Sequence, residues 1–218
     1  MYILIVAATG LEIEITGHYL ASKGFNINRH TTKLLTTGVG TMASAYVLTK
    51  EVVRKKPDYV LQAGIAGSFH KSLEPEQVVL VREELQGDLG VFEGGQFNDV
   101  FDMQLADANE FPFSQKKLIN PYCKDWERYQ LPFVRGLTVN NITTGEKNIQ
   151  LLIDKYHPEI ESMEGAALHY TCLLENIPFM QVRAISNYVG ERDKSKWKMK
   201  EAIRNLNDSI IKIIEELP

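Results

Sequence analysis

The 218-residue sequence predicts an α/β domain with a mostly parallel sheet covered on both faces. Two observations carry this. Short β-rich apolar runs alternate with longer amphipathic stretches along most of the chain, and three of those runs lead into glycine-bearing loops. In open α/β sheets such loops sit at the carboxyl ends of strands, where ligands bind.

The elements follow in order. Met1 to Ala8 is apolar but lacks a basic flank and falls far short of the roughly 18 apolar residues a membrane span needs, so it reads as a buried strand over 2–8. A helix over 11–23, a strand over 33–37, a helix over 41–55 and strands over 59–63 and 78–82 come next. After a break the pattern resumes, with strands from Phe133 to Asn140 and Phe179 to Ile185 and helices over 147–156, 164–175 and 196–216. The last helix sets Ile203, Leu206, Ile210, Ile213 and Leu217 on one face at three- and four-residue steps. The break itself, 83–116, is rich in Gly87, Gly90, Gly94, Gly95, Glu83, Glu84, Asp88 and Glu93 and has few periodic apolar positions. It reads as an ordered insertion or a lid inside one domain spanning 1–218.

Composition excludes several classes. With 24 Lys and Arg against 28 Asp and Glu, the net charge of -4 provides no basic face for phosphates, so a small-molecule partner is expected and not nucleic acid. Cys123 and Cys172 stand far apart without metal-ligand spacing, and His18, His30, His70, His157 and His169 are scattered, so no disulfide framework, metal site or cofactor is expected. A reducing cytoplasm is the expected compartment. The basic run from Lys194 to Lys200 reads as a solvated loop and helix face.

Three motifs remain. Gly38-Val39-Gly40-Thr41-Met42-Ala43 fits a dinucleotide fingerprint between strand and helix, but the acidic residue expected at the end of the next strand is replaced by Ala63-Gly64. In Gly64, Ile65, Ala66 and Gly67 the small residues either relieve crowding at a strand-to-helix turn or admit a flat ligand against the backbone. In Glu161-Ser162-Met163-Glu164-Gly165-Ala166-Ala167 a carboxylate falls where a strand turns into a helix. Glu164 there is either a helix-end charge or an acceptor for the two cis hydroxyls of a ribose.

The ordered set Ala7 to Glu12, Gln62 to Phe69, Glu161 to Ala167 and Val182 to Gly190 resembles the purine and uridine phosphorylase/nucleosidase superfamily over nearly the whole chain. The runs Asn187 to Trp197 and Gly87 to Val91 look like its futalosine hydrolase branch in particular. The resemblance implies a three-layer α/β/α sandwich around a mixed, mostly parallel sheet, and a homo-oligomer, a dimer or higher. It implies a purine nucleoside substrate whose N-glycosidic bond is broken, in this branch that of futalosine in menaquinone biosynthesis. It further implies that Glu12 activates the water, that Glu164 and Met163 hold the ribose, and that Ser186 and Arg183 support the base-side loop. Glu14 competes with Glu12 for the first role.

Adenine-cleaving members carry aspartate where this chain has Asn187. An amide offers one acceptor and one donor, which suits a protonated N7 beside a 6-oxo group and hence hypoxanthine. Phosphorylases of the superfamily grip phosphate with arginines, one of them in an early glycine-rich loop. Ala7 to Thr16 has none and the first arginine is Arg29, so water is the expected nucleophile. A methylthioadenosine/S-adenosylhomocysteine nucleosidase and a non-catalytic nucleoside-binding protein are the alternatives. For futalosine a cation should also meet the benzoate carboxylate, with Arg192 and Lys196 as candidates.

Overall fold

Strand and helix alternate from the first residues of the computed structural model, which describes residues 1–217. In chain order the elements are β1 (Tyr2–Ala7), α1 (Gly10–Ser22), β2 (Asn26–Ile27), β3 (His30–Thr36), α2 (Thr41–Arg54), β4 (Tyr59–Ser68) and β5 (Val78–Gln86). Then come β6 (Gly90–Glu93), β7 (Gln96–Asp99), β8 (Leu118–Ile119), β9 (Phe133–Thr138), α3 (Glu146–Tyr156), β10 (Ile160–Ser162), α4 (Gly165–Leu174), β11 (Phe179–Tyr188) and α5 (Met199–Glu216).

The main sheet is mixed and runs β10-β9-β5-β11-β4-β1-β3-β2. Its strands are apolar on both faces because both faces are covered. Ile3, Ile5 and Ala7 of β1 pack with Ile13 and Leu20 of α1 and Leu206, Ile210 and Ile213 of α5. The alternate residues Leu4 and Val6 pack with Leu48 and Val52 of α2 and Leu168 and Cys172 of α4. This period-two division of β1 between two cores is what makes three layers.

One end of the sheet closes on itself. β10 pairs parallel with β9 and also antiparallel with the end of β4, through Ile160 opposite Ser68 and Glu161 opposite Gly67. Strands β4, β11, β5, β9 and β10 thus curl around a small core containing Ala66, Val79, Val81, Val134, Ile160 and Ile185. Long strands twist, and the twist is increased here by an irregularity in β11 between Ile185 and Asn187, opposite Ala66 and Gly67.

β4 and β11 therefore run past the expected ends at 63 and 185, because Gly64 to Gly67 and, beyond the bulged Ser186, Asn187 and Tyr188 stay in the ladder without a periodic apolar signal. β10, the strand expected ahead of Glu164, is only three residues long, two of them polar, and carries no period that would set its bounds.

The stretch 83–116 is an ordered insertion. β5 continues to Gln86, and β6 and β7 form a hairpin whose buried Asp99 accepts from Tyr156 Oη of α3 at 3.1 Å and pairs with Lys116 Nζ at 3.1 Å. Phe113 packs against Tyr170 of α4 with ring centroids 5.8 Å apart.

Candidate active site

A cavity of about 290 Å³ opens at the carboxyl ends of β1, β4 and β11, at the small end of the roughly 300–1,000 Å³ typical of ligand pockets. Glu12, Ile65, Ala66, Gly67, Met163, Glu164, Ser186 and Asn187, distant in sequence, all line it. No residue of 83–116 does.

Glu12 is the third residue of α1 and is 7% exposed, whereas Glu14 faces solvent. Thr9 donates to Glu12 Oε2 from both its backbone N and Oγ1, each at 2.9 Å. The side chain therefore closes a capping box. Its other oxygen accepts from Ile65 N at 3.2 Å, which ties α1 to the β4 wall of the cavity.

Glu164 precedes α4, yet its carboxylate does not cap that helix. Oε1 instead accepts from Gly40 N at 3.1 Å. Gly40 has φ +92°, a conformation open to glycine, so the glycine-rich loop aims an amide at the Glu164 carboxylate. Met163 is anchored through its carbonyl, which accepts from Thr41 Oγ1 at 3.3 Å.

Arg183 is 1% exposed and lies beneath the site, between Glu164 and the Ile65 segment of β4. Its Nη1 reaches Ile65 O at 3.3 Å and Glu164 Oε2 at 3.5 Å, while Nη2 donates to Gln62 Oε1 at 3.2 Å. Gly64 does not line the cavity. A Cβ there would stand 2.2 Å from Arg183 Nη1, so this glycine is the gap through which the guanidinium passes.

Asn187 sits at the β11 irregularity, and its amide is oriented by two neighbours. Ser186 Oγ donates to Asn187 Oδ1 at 2.7 Å, and Asn187 Nδ2 donates to Tyr188 O at 2.8 Å. A hydroxyl and a carbonyl together allow one amide orientation only, which leaves one lone pair and one N–H of the side chain for a ligand.

Sequence reasoning missed Glu161 and Ser162 as wall residues, although both belong to the segment that pointed to Glu164. Glu161 Oε1 accepts from Thr143 N at 3.1 Å, Oε2 is buried without a partner, and burial pushes the carboxyl pKa up. The apolar walls Leu11, Val39, Ile142, Val189 and Trp197 come from separate loops and elements, and no spacing in the chain marks them. Among the described lining residues Arg192 is the only lysine or arginine, and its guanidinium lies 5.9 Å from the centre of the Trp197 ring. Lys196 is not in the wall; it pairs with Glu191 at 3.0 Å.

Glu84, first assigned to the acidic insertion, is instead completely buried in β5. It accepts from Gln181 Nε2 and Thr138 Oγ1, each at 2.8 Å, and Thr138 Oγ1 accepts from Ala166 N at the start of α4. Burial raises its pKa to about 7. Gly165 leaves room for it, since a Cβ there would fall 1.9 Å from Glu84 Oε1.

Among the described residues no group of three His, Cys, Asp or Glu could hold a metal ion, and no helix is long and apolar enough to cross a membrane.

A futalosine hydrolase from Thermus thermophilus is 29% identical over 185 residues, 84% of this chain and 80% of that protein. A 5'-methylthioadenosine/S-adenosylhomocysteine nucleosidase from Bacillus thuringiensis is 27% identical over 86% of this chain and 82% of its own length. In fold, the S-adenosylhomocysteine nucleosidase of Streptococcus pyogenes superposes with a TM-score of 0.81 at 17% identity, covering 100% of this chain and 98% of its own. The futalosine hydrolase of Helicobacter pylori superposes at 0.79 and 16%, with the same coverage. The family model described as the phosphorylase superfamily matches residues 5–217, and the chain belongs to that superfamily.

Proposed function

We propose that this chain is a nucleosidase that hydrolyses the N-glycosidic bond of futalosine, releasing hypoxanthine and dehypoxanthine futalosine. The N-glycosyl hydrolase class rests on the nucleosidase and hydrolase relatives and on two carboxylates, Glu12 and Glu164, converging on one cavity. The observation that carries the choice of base is the locked amide of Asn187.

In this reading Glu164 accepts from the ribose hydroxyls and Met163 packs its soft side chain on the sugar. Glu12 takes a proton from water as the water oxygen bonds to C1'. The C1'–N9 bond breaks with its electron pair passing to the base, and a proton from solvent ends on N7. Asn187 Oδ1 accepts from that N7–H while its free N–H donates to the 6-oxo oxygen. Ile65, Ala66 and Gly67 wall the base.

Two further features favour the reading. Arg183 is buried outside the cavity lining, with its Nη atoms turned to Gln62, Ile65 and Glu164, so among the described residues no arginine on the Glu12 and Glu164 side faces the cavity to grip phosphate, which supports water as nucleophile. Arg192 at the wall is placed to meet the carboxylate of the substrate's far end, where Lys196 is not. A homo-oligomer belongs to the same proposal, since α2 turns Met42, Tyr46 and Val53 to solvent.

The second reading is a methylthioadenosine/S-adenosylhomocysteine nucleosidase, favoured by the 27% identical relatives. Product analysis with futalosine, inosine and methylthioadenosine, each with and without phosphate, decides between them. Hypoxanthine from futalosine at a rate independent of phosphate is expected. Cleavage of methylthioadenosine with none of futalosine would overturn the proposal.

A further inference from the structure

The first turn of α1 is not continuous with the rest of the helix. Ile13 has φ −126° and ψ 16°, outside helical values, immediately after Glu12. In an unbroken α-helix the Glu12 carbonyl would accept from the N–H of Thr16. Here the side-chain amide of Asn207, from the middle of α5, stands between them. Its Nδ2 donates to Glu12 O at 2.9 Å and its Oδ1 accepts from Thr16 N at 2.9 Å.

The insertion is complete. Asn207 Oδ1 also accepts from Thr16 Oγ1 at 2.6 Å, and Nδ2 also donates to Ile203 O at 2.7 Å. All four hydrogen-bonding positions of the amide are used, and the residue is 0% exposed. A polar side chain at this place breaks the apolar stripe between Leu206 and Ile210, a local disadvantage that helix packing alone does not explain. A side chain wedged into the i to i−4 ladder is a recognised cause of a helix kink.

We infer that Asn207 is a positioning residue for Glu12. By replacing the Glu12 O to Thr16 N rung it holds the first turn of α1 at its own angle, with the Glu12 carboxylate set between Thr9 and Ile65 N at the cavity wall. The inference rests on the reading of Glu12 as the water-activating group.

The test uses Asn207→Ala, which removes the wedge and lets the rung close, and Asn207→Asp, which keeps its shape. A crystal structure of Asn207→Ala is expected to show Ile13 at helical angles with Thr16 N bonded to Glu12 O. With futalosine and methylthioadenosine as probes, kcat should fall by about 100-fold, the scale of a misplacement near 1 Å. KM should stay within about 3-fold, because Glu164, Met163 and Asn187 stand on other elements. A role in stability alone would lower the melting temperature and leave the kcat of the folded enzyme unchanged.

In Asn207→Asp an ionised carboxylate opposes the Glu12 and Ile203 carbonyls, whereas the neutral acid restores one donor. Its kcat relative to wild type should rise about 10-fold from pH 7.5 to pH 5.5, and this variant keeps the inference testable should the alanine variant not fold. The inference is overturned if Ile13 keeps its angles in Asn207→Ala, or if kcat of the folded variant stays within about 3-fold of wild type. Glu12→Gln separates the two levels: full activity in that variant overturns the reading of Glu12 itself, whatever Asn207 does.

Discussion

Replacing Asn187 by aspartate perturbs the site at the point where, in the proposed function, the base is read. In the native site the amide is held by Ser186 Oγ at 2.7 Å on Oδ1 and by Tyr188 O at 2.8 Å on Nδ2. Aspartate keeps the first contact and sets an oxygen against the Tyr188 carbonyl in the second. That cost is common to every substrate, so it lowers activity without choosing a base. Discrimination comes from the free N–H of Asn187. For a 6-oxopurine its loss leaves a buried acceptor unpaired, about 1–3 kcal/mol, while a 6-aminopurine gains one hydrogen bond, about 0.5–1.5 kcal/mol. The ratio of kcat/KM for futalosine over its 6-amino counterpart should therefore fall by about 1.5–4.5 kcal/mol, or roughly 10- to 2,000-fold. Steady-state kinetics with the matched pair measures it, after a melting curve shows that the variant is folded. A ratio within about 3-fold of wild type would refute the assignment of base choice to Asn187.

Three other outcomes are expected. Glu12→Gln should lower kcat by about 10²- to 10⁴-fold, as for loss of a general base, with the melting temperature within a few degrees of wild type because glutamine keeps an acceptor for Thr9; near-native kcat refutes the role. Arg192→Ala should raise KM for futalosine by about 10-fold, through loss of a charge-assisted bond at a partly exposed site, and leave inosine unchanged; equal effects on both would remove Arg192 from the far end of the substrate. Glu84 carries a pH prediction. Its pKa is raised by burial from 4.5 to about 7, so between those values the unfolded chain loses a proton that the folded protein keeps, and stability contributed by this group falls as pH rises. The penalty is absent below pH 4.5 and complete above pH 7, at roughly 3 kcal/mol. Glu84→Gln, which cannot ionise, should gain roughly 3 kcal/mol of stability relative to wild type between pH 4.5 and pH 7.5 in urea denaturation; a difference independent of pH contradicts the assignment.

The strand and helix positions of the sheet's first half, and the apolar face of α5, were legible because local periodicity encodes them. Glu12, Met163, Glu164 and Asn187 stood out through the family resemblance, and the fold brings all four to the wall of one cavity. The misread residues share one cause. Gly64 looked like a cavity wall and Glu84 like part of an acidic insertion or lid, since a glycine's neighbour and a carboxylate's burial depend on elements distant in the chain. Arg183, 119 positions beyond Gly64, occupies the gap that this glycine leaves.

What the sequence by itself determined was the alternation of elements, the family resemblance and the residue types able to break a glycosidic bond. Only the tertiary structure decided where those groups point. The closure of β10 onto β4 brings Glu161 opposite Gly67, the irregularity in β11 turns Asn187 to its place, and the Asn207 amide separates the first turn of α1. Each is a hydrogen-bond arrangement between residues far apart in the chain, and local patterns carry no information about which distant partner completes it.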